Sequence, residues 1–103
     1  MTVEVVWSPR SRSDLIEIYL RIAGEQPKAA ERYLDRIEQR ADVLAQHPRL
    51  GRRRPDIRPA TRMLVEAPYV ILYETIPDSD SGPVDRVEIV RVVDGRRNLL
   101  SLF

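Results

Sequence analysis

Two stretches of helical periodicity, joined by a link of about three residues, constrain this chain more than any other feature of its sequence. Ser8 is a good N-cap, and Pro9 suits a first helical position because the N–H it lacks has no partner there. Leu15, Ile18, Tyr19 and Ile22 then recur at spacings of three and four, opposite Asp14, Glu17 and Arg21, until Gly24 offers a left-handed stop. This predicts a helix over about residues 9–24. Pro27 restarts the pattern, with Ala30, Leu34, Ile37, Ala41 and Leu44 on one stripe, Tyr33 beside it, and Pro48 and Gly51 as stop signals. A link this short forces the two helices antiparallel. The resulting hairpin keeps one apolar face that needs a sheet to cover it.

The rest of the chain supplies that sheet. Val3 to Trp7 is a short β-branched run that ends at Ser8-Pro9. Met63-Leu64-Val65 and Tyr69 to Ile76 are β-rich and separated by Ala67-Pro68, a turn between adjacent strands. Asp78-Ser79-Asp80-Ser81-Gly82-Pro83 reads as a loop, and Val84 to Val93 as a third strand closed by Asp94-Gly95. Strands linked this closely form an antiparallel meander. The expected class is α+β: an N-terminal strand, then a helical hairpin packed on a mainly antiparallel sheet with a three-stranded C-terminal meander. At 103 residues one core, hence one domain over 1–103, is expected. The tail from Arg96 to Phe103, basic and then apolar, is left open.

Composition excludes several chemistries. Without cysteine there is no disulfide framework, no thiolate catalysis and no cysteine-bound zinc. His47 is the single histidine and falls where the second helix should end, close to the negative end of its dipole. Neither a cofactor nor a metal is expected. The N-terminus shows no signal peptide and no membrane span, so a cytoplasmic protein is expected. Charge is more informative in its distribution than in its net value of +1. Sixteen of the seventeen basic residues are arginine; residues 49–64 hold six basic groups and one acidic, and residues 65–90 hold one basic and six acidic. The arginine segment favours a polyanion or an acidic protein surface.

The order strand, helical hairpin, basic segment and meander resembles the ParE/RelE toxin superfamily, and the local wording resembles its ParE branch. The matching stretches are Trp7-Ser8-Pro9 leading into Asp14-Leu15, Pro48-Arg49-Leu50-Gly51-Arg52, Ile57-Arg58-Pro59, Arg62, Pro68-Tyr69 with Ile71 and Tyr73, and Ile89-Val90-Arg91 with Val93-Asp94-Gly95-Arg96-Arg97. They span nearly the whole chain. The resemblance implies a toxin neutralised by a ParD-like antitoxin whose C-terminal segment wraps it. It further implies one of two targets: DNA gyrase for ParE-like members, ribosome-bound messenger RNA for RelE-like members.

RNA cleavage without a metal needs a base for the 2′-hydroxyl, a cation for the phosphorane and an acid for the leaving oxygen. RelE-like nucleases resemble one another in a C-terminal arginine followed by a tyrosine or histidine. Here Arg97-Asn98-Leu99-Leu100-Ser101-Leu102-Phe103 ends in a ring with no titratable proton. Tyr69 and Tyr73 share a strand face with Ile71 and read as core. The expectation is therefore a gyrase inhibitor that is not itself an enzyme, with no catalytic residue assigned. A ribosome-dependent endoribonuclease is the alternative, and a nucleic-acid-binding module lacking an aromatic platform is a weaker third.

The residues expected to meet target or antitoxin are Arg49, Arg52, Arg53, Arg54, Arg58, Arg62, Arg91, Arg96, Arg97 and Phe103. For those between Arg49 and Arg58 the alternative is a solvated loop. For Arg91, whose face holds Val87, Ile89 and Val93 unless a bulge intervenes, it is a structural ion pair with Glu66, Glu74 or a carbonyl. Asp14, Glu17, Asp35 and Glu38 read as a solvated helix face.

Overall fold

The computed structural model of the chain describes residues 2–103. Strand β1 (Glu4–Trp7) leads into helices α1 (Pro9–Ala23) and α2 (Pro27–Asp42), and α2 tightens into a 3-10 turn at Val43–Ala45. Strands β2 (Arg52–Arg53), β3 (Arg62–Glu66), β4 (Tyr69–Ile76) and β5 (Arg86–Asp94) follow, then a 3-10 turn at Leu99–Ser101. The sheet runs β1-β5-β4-β3-β2, antiparallel throughout except for the outer β1–β5 pair. The α+β reading therefore holds.

Local chemistry sets the helix ends. Ser8 caps α1 by accepting the Ser11 N–H at 3.0 Å, and Pro9 occupies the first turn as expected. Gly24 behaves differently from the expectation: its φ of −56° is right-handed, and its N–H simply continues to the Leu20 carbonyl at 3.3 Å. The chain turns over Gly24 to Gln26 without a left-handed residue, and Pro27 starts α2.

β4 lies at the centre of the sheet with both faces covered. Ile71 and Tyr73 join Ile18, Ile37, Ala41, Leu44, Leu64, Val87 and Ile89 in the core beneath the helices. Each aliphatic side chain fully buried there contributes about 1.5–3 kcal/mol. Val70 and Leu72, alternating to the other face, pack with Ile57 and Val93 under Met63, Leu99 and Leu102. The segment after β2 and the C-terminal tail thus cover the side of the sheet that the hairpin leaves open. No helix among the described residues is long and apolar enough to cross a membrane.

Two features depart from the sequence reading. The arginine segment is not wholly loop, since Arg52 and Arg53 pair with Met63 and Arg62 as a short edge strand. β5 also carries an extra residue: Leu72 pairs with Arg91 while Tyr73 pairs with Ile89, so Val90 is bulged. Beyond the bulge the faces exchange. Val92 joins the core under the helices, and Val93 lies with Val70 and Leu72 on the far side.

Candidate functional site

The arginine segment is held from below by two buried residues. The Tyr73 hydroxyl, fully buried, accepts the Gly51 N–H at 2.7 Å. Burial pushes that phenol above the ordinary tyrosine range, against the opposing effects of the Gly51 N–H and the Arg62 charge. Gly51 is required for this contact, because a Cβ would lie 2.6 Å from Tyr73 Cε1 and 2.9 Å from the Met63 carbonyl oxygen. Arg62, beside Tyr73 in register, donates from Nη1 to the carbonyls of Gly51 at 3.0 Å and Arg49 at 3.4 Å.

From above, the acidic loop closes over the same arginines. Asp80 Oδ1 receives Arg53 Nε at 2.8 Å and Arg62 Nη2 at 3.3 Å, and Asp78 pairs with Arg53 Nη1 at 2.9 Å. Arg49 donates to the Ser79 carbonyl at 2.8 Å, to Ser79 Oγ at 3.2 Å and to the Gly82 carbonyl at 2.7 Å. The hydrogen bond from Arg53, with the charges of Arg62 and Arg49 behind it, holds the Asp80 carboxyl below its usual range. Arg54 turns instead to Asp56 at 2.8 Å and lowers that carboxyl in the same way. Arg49, Arg53, Arg54 and Arg62 are thus engaged within the chain. Arg52 is exposed and makes no ion pair among the described residues.

The tail brings further candidates together. Asn98 caps the turn at Leu99–Ser101 by accepting the Leu100 N–H at 3.2 Å. Leu99 and Leu102 pack on the far face of the sheet, and Phe103 lies beneath Arg58, whose Cζ is 4.4 Å from the ring centre. Arg96 pairs with Asp94 at 2.7 Å and drives that carboxyl far below the usual range, while Arg97 is exposed.

Arg91 stands apart from the other arginines. Its Nε donates to Asp14 Oδ2 at 2.8 Å and its Nη2 to Oδ1 at 3.2 Å, with both side chains almost wholly buried. Oδ2 also accepts the Val92 N–H at 2.9 Å. β1 ends at Trp7 opposite Ile89, and past that point Ser8 and Asp14 satisfy the open edge of β5. Asp14 is therefore no member of a solvated helix face, and the partner of Arg91 is neither Glu66 nor Glu74. The sequence carried no local signal for this pair, whose members are 77 positions apart. The docking of the 78–82 loop on the arginines did leave a trace, in the adjacent charge blocks of opposite sign.

On the outer side of the hairpin, Leu15, Ile16, Tyr19 and Leu34 line an open groove of about 500 Å³ with Arg12 and Glu38 at its rim. Ile16 and Leu20 are 60% and 64% exposed. Large aliphatic side chains exposed together beside a groove mark a surface suited to a partner.

Comparison with known proteins accords with this architecture. A family model described as ParE toxin of type II toxin-antitoxin system, parDE, matches residues 5–99. Toxin RelE3 of Caulobacter vibrioides is 38% identical over 72 residues, covering 69% of this chain and 78% of that protein. Toxin ParE3 of the same organism is 39% identical over 72 residues, covering 70% of this chain and 65% of its own length. Toxin RelE2 is 39% identical, covering 68% and 77%. Among solved structures, the chromosomal ParDE system of P. aeruginosa superposes with a TM-score of 0.72 at 22% identity, over 90% of this chain and 96% of that one, a likeness of fold. With nearly its whole length matched by the family model, the chain belongs to the ParE toxin family of type II toxin–antitoxin systems.

Proposed function

We propose that this toxin arrests growth by inhibiting DNA gyrase, is not itself a nuclease, and is held inactive in the cytoplasm by a ParD-like antitoxin. The observation that favours gyrase over ribosome-bound message is the placement of Arg91 and Tyr73. A ribonuclease needs a cation and proton carriers facing the scissile phosphate. Arg91 is instead spent on Asp14 behind the bulge, and the Tyr73 hydroxyl is buried against Gly51. Phe103, in the tail where RelE-like nucleases resemble one another, offers a ring to Arg58 and no proton.

For the antitoxin, the groove along α1 and α2 offers apolar surface for an amphipathic segment, and the exposed Arg52, Arg58 and Arg97 are separate sites of positive charge for an acidic stretch. Because two of the relatives carry RelE names, the experiment must separate the targets. Purified chain is added to a gyrase supercoiling assay and, in parallel, to ribosomes stalled on a defined message read by primer extension. The expected result is lost supercoiling with an intact message. Codon-positioned cuts, abolished by Arg91→Ala or Tyr73→Phe, would overturn the reading.

A further inference from the structure

We propose that Arg49, Arg53 and Arg62 form a receptor for the phosphates of a single-stranded nucleic-acid backbone, which the chain keeps closed with its own Asp80. Three guanidinium groups from three backbone segments converge on the 78–82 loop: Arg49 ahead of the edge strand, Arg53 in β2 and Arg62 in β3. The pairing is lopsided. The Arg62 side chain is 7% exposed and the carboxylate it meets is 80% exposed. Arg62 is anchored from behind by two backbone carbonyls, so its position does not depend on Asp80. Its Nε is buried with no partner, a donor left over in a cluster of three guanidinium groups against two carboxylates, Asp78 and Asp80.

Asp80 sits in a segment with no helix or strand of its own, where Gly82 takes a φ of 83°. Swinging it outward gives up the Arg53 pair, which is open to water and worth little, and leaves the buried Arg62 with its two carbonyl acceptors. An incoming oxyanion would then meet cations already in position, which lowers the ordering cost of binding. Each backbone phosphodiester presents one charge and two free oxygens, as a carboxylate does, but successive phosphates along a strand can meet several guanidinium forks at once. Such contacts carry no base sequence. The inference goes beyond the gyrase reading, because the ligand is the polyanion itself and binding to it does not depend on which enzyme is inhibited.

The test uses the full chain and a fluorescein-labelled 12-nucleotide oligo(dT), followed by anisotropy across a salt series. Asp80→Asn should tighten binding roughly tenfold at low salt and steepen the salt dependence by about one phosphate contact. Asp35→Asn removes the same charge from an exposed position on α2 and should change affinity less than about twofold. Arg53→Gln placed in the Asp80→Asn background should return affinity and slope to those of the starting chain. In the unaltered chain, saturating oligonucleotide should move the Asp80 carboxyl carbon resonance toward that of a free aspartate and leave Asp56 unmoved. Equal effects of Asp80→Asn and Asp35→Asn, or an Asp80 resonance that stays in place, would overturn the proposal. So would displacement of the oligonucleotide by polyglutamate at equal charge, which would make the cluster a carboxylate site for a protein partner.

Discussion

Replacing Asp14 with alanine tests the buried pair on which the β5 edge depends. The substitution strands the Arg91 guanidinium, whose side chain is 6% exposed, and removes the acceptor of the Val92 N–H. Arg10, 3.6 Å from Asp14 and largely exposed, is itself a cation and cannot replace the lost carboxylate. Removing one partner of a buried pair costs about 3–5 kcal/mol, against a total of about 5–15 kcal/mol for a small domain. With a urea dependence of about 2 kcal/mol per molar, the midpoint followed by circular dichroism should fall by roughly 2 M. The loss should persist in 1 M sodium chloride, because a desolvated pair is poorly screened. Asp14→Leu combined with Arg91→Met should recover most of it, since an apolar pair leaves no charge stranded. A cost below about 1 kcal/mol, the ordinary worth of a surface pair, would refute the buried-pair account. So would a double variant as weak as the sum of its parts.

Gly51→Ala should destabilise the chain by about 1–3 kcal/mol in the same urea assay, because the added methyl meets the fully buried Tyr73 and a backbone carbonyl. Tyr73 should ionise above the ordinary tyrosine value of about 10 in an absorbance titration at alkaline pH, a step missing in Tyr73→Phe. Its folded value being raised, its contribution to stability is whole below the unfolded value and is lost as pH rises through the folded one. Asp80 should titrate below the usual aspartate value of about 3.9 by carboxyl carbon NMR and return toward it in Arg53→Gln. Its contribution is present above the unfolded value and is lost as pH falls through the folded one.

The elements legible in the sequence are those set by neighbours along the chain. Pro9, Pro27 and the three-and-four stripes place both helices, and β-branched runs broken by Ala67-Pro68 and Asp78–Pro83 place the meander. What the sequence hides is decided across distance. A single bulged residue, Val90, brings Val92 onto the face of Val87 and Ile89, and nothing in Ile89-Val90-Arg91 announces it. Asp14 has the spacing of a solvent-facing residue on α1, yet it is buried because β1 stops at Trp7 and leaves β5 with an unpaired N–H. The arginine segment was visible as a charge block, as was its acidic counterpart. Their mutual neutralisation follows from the β4–β5 loop folding back over β2 and β3, which a count of charges along a chain does not reveal.

The parallel pairing of β1 with β5 gives this toxin a built-in delay during its own synthesis. β1 leaves the ribosome well before its sheet neighbour β5, and Ser8 waits 82 residues for Val90. The hairpin can form early from local contacts, whereas closing so long a loop is slow and brings no reward until the final strand arrives. Until then α1 lies over an incomplete sheet, with Asp14 lacking its counter-ion. A nascent chain short of residue 91 therefore lacks both the sheet neighbour that completes β1 and the buried partner of Asp14.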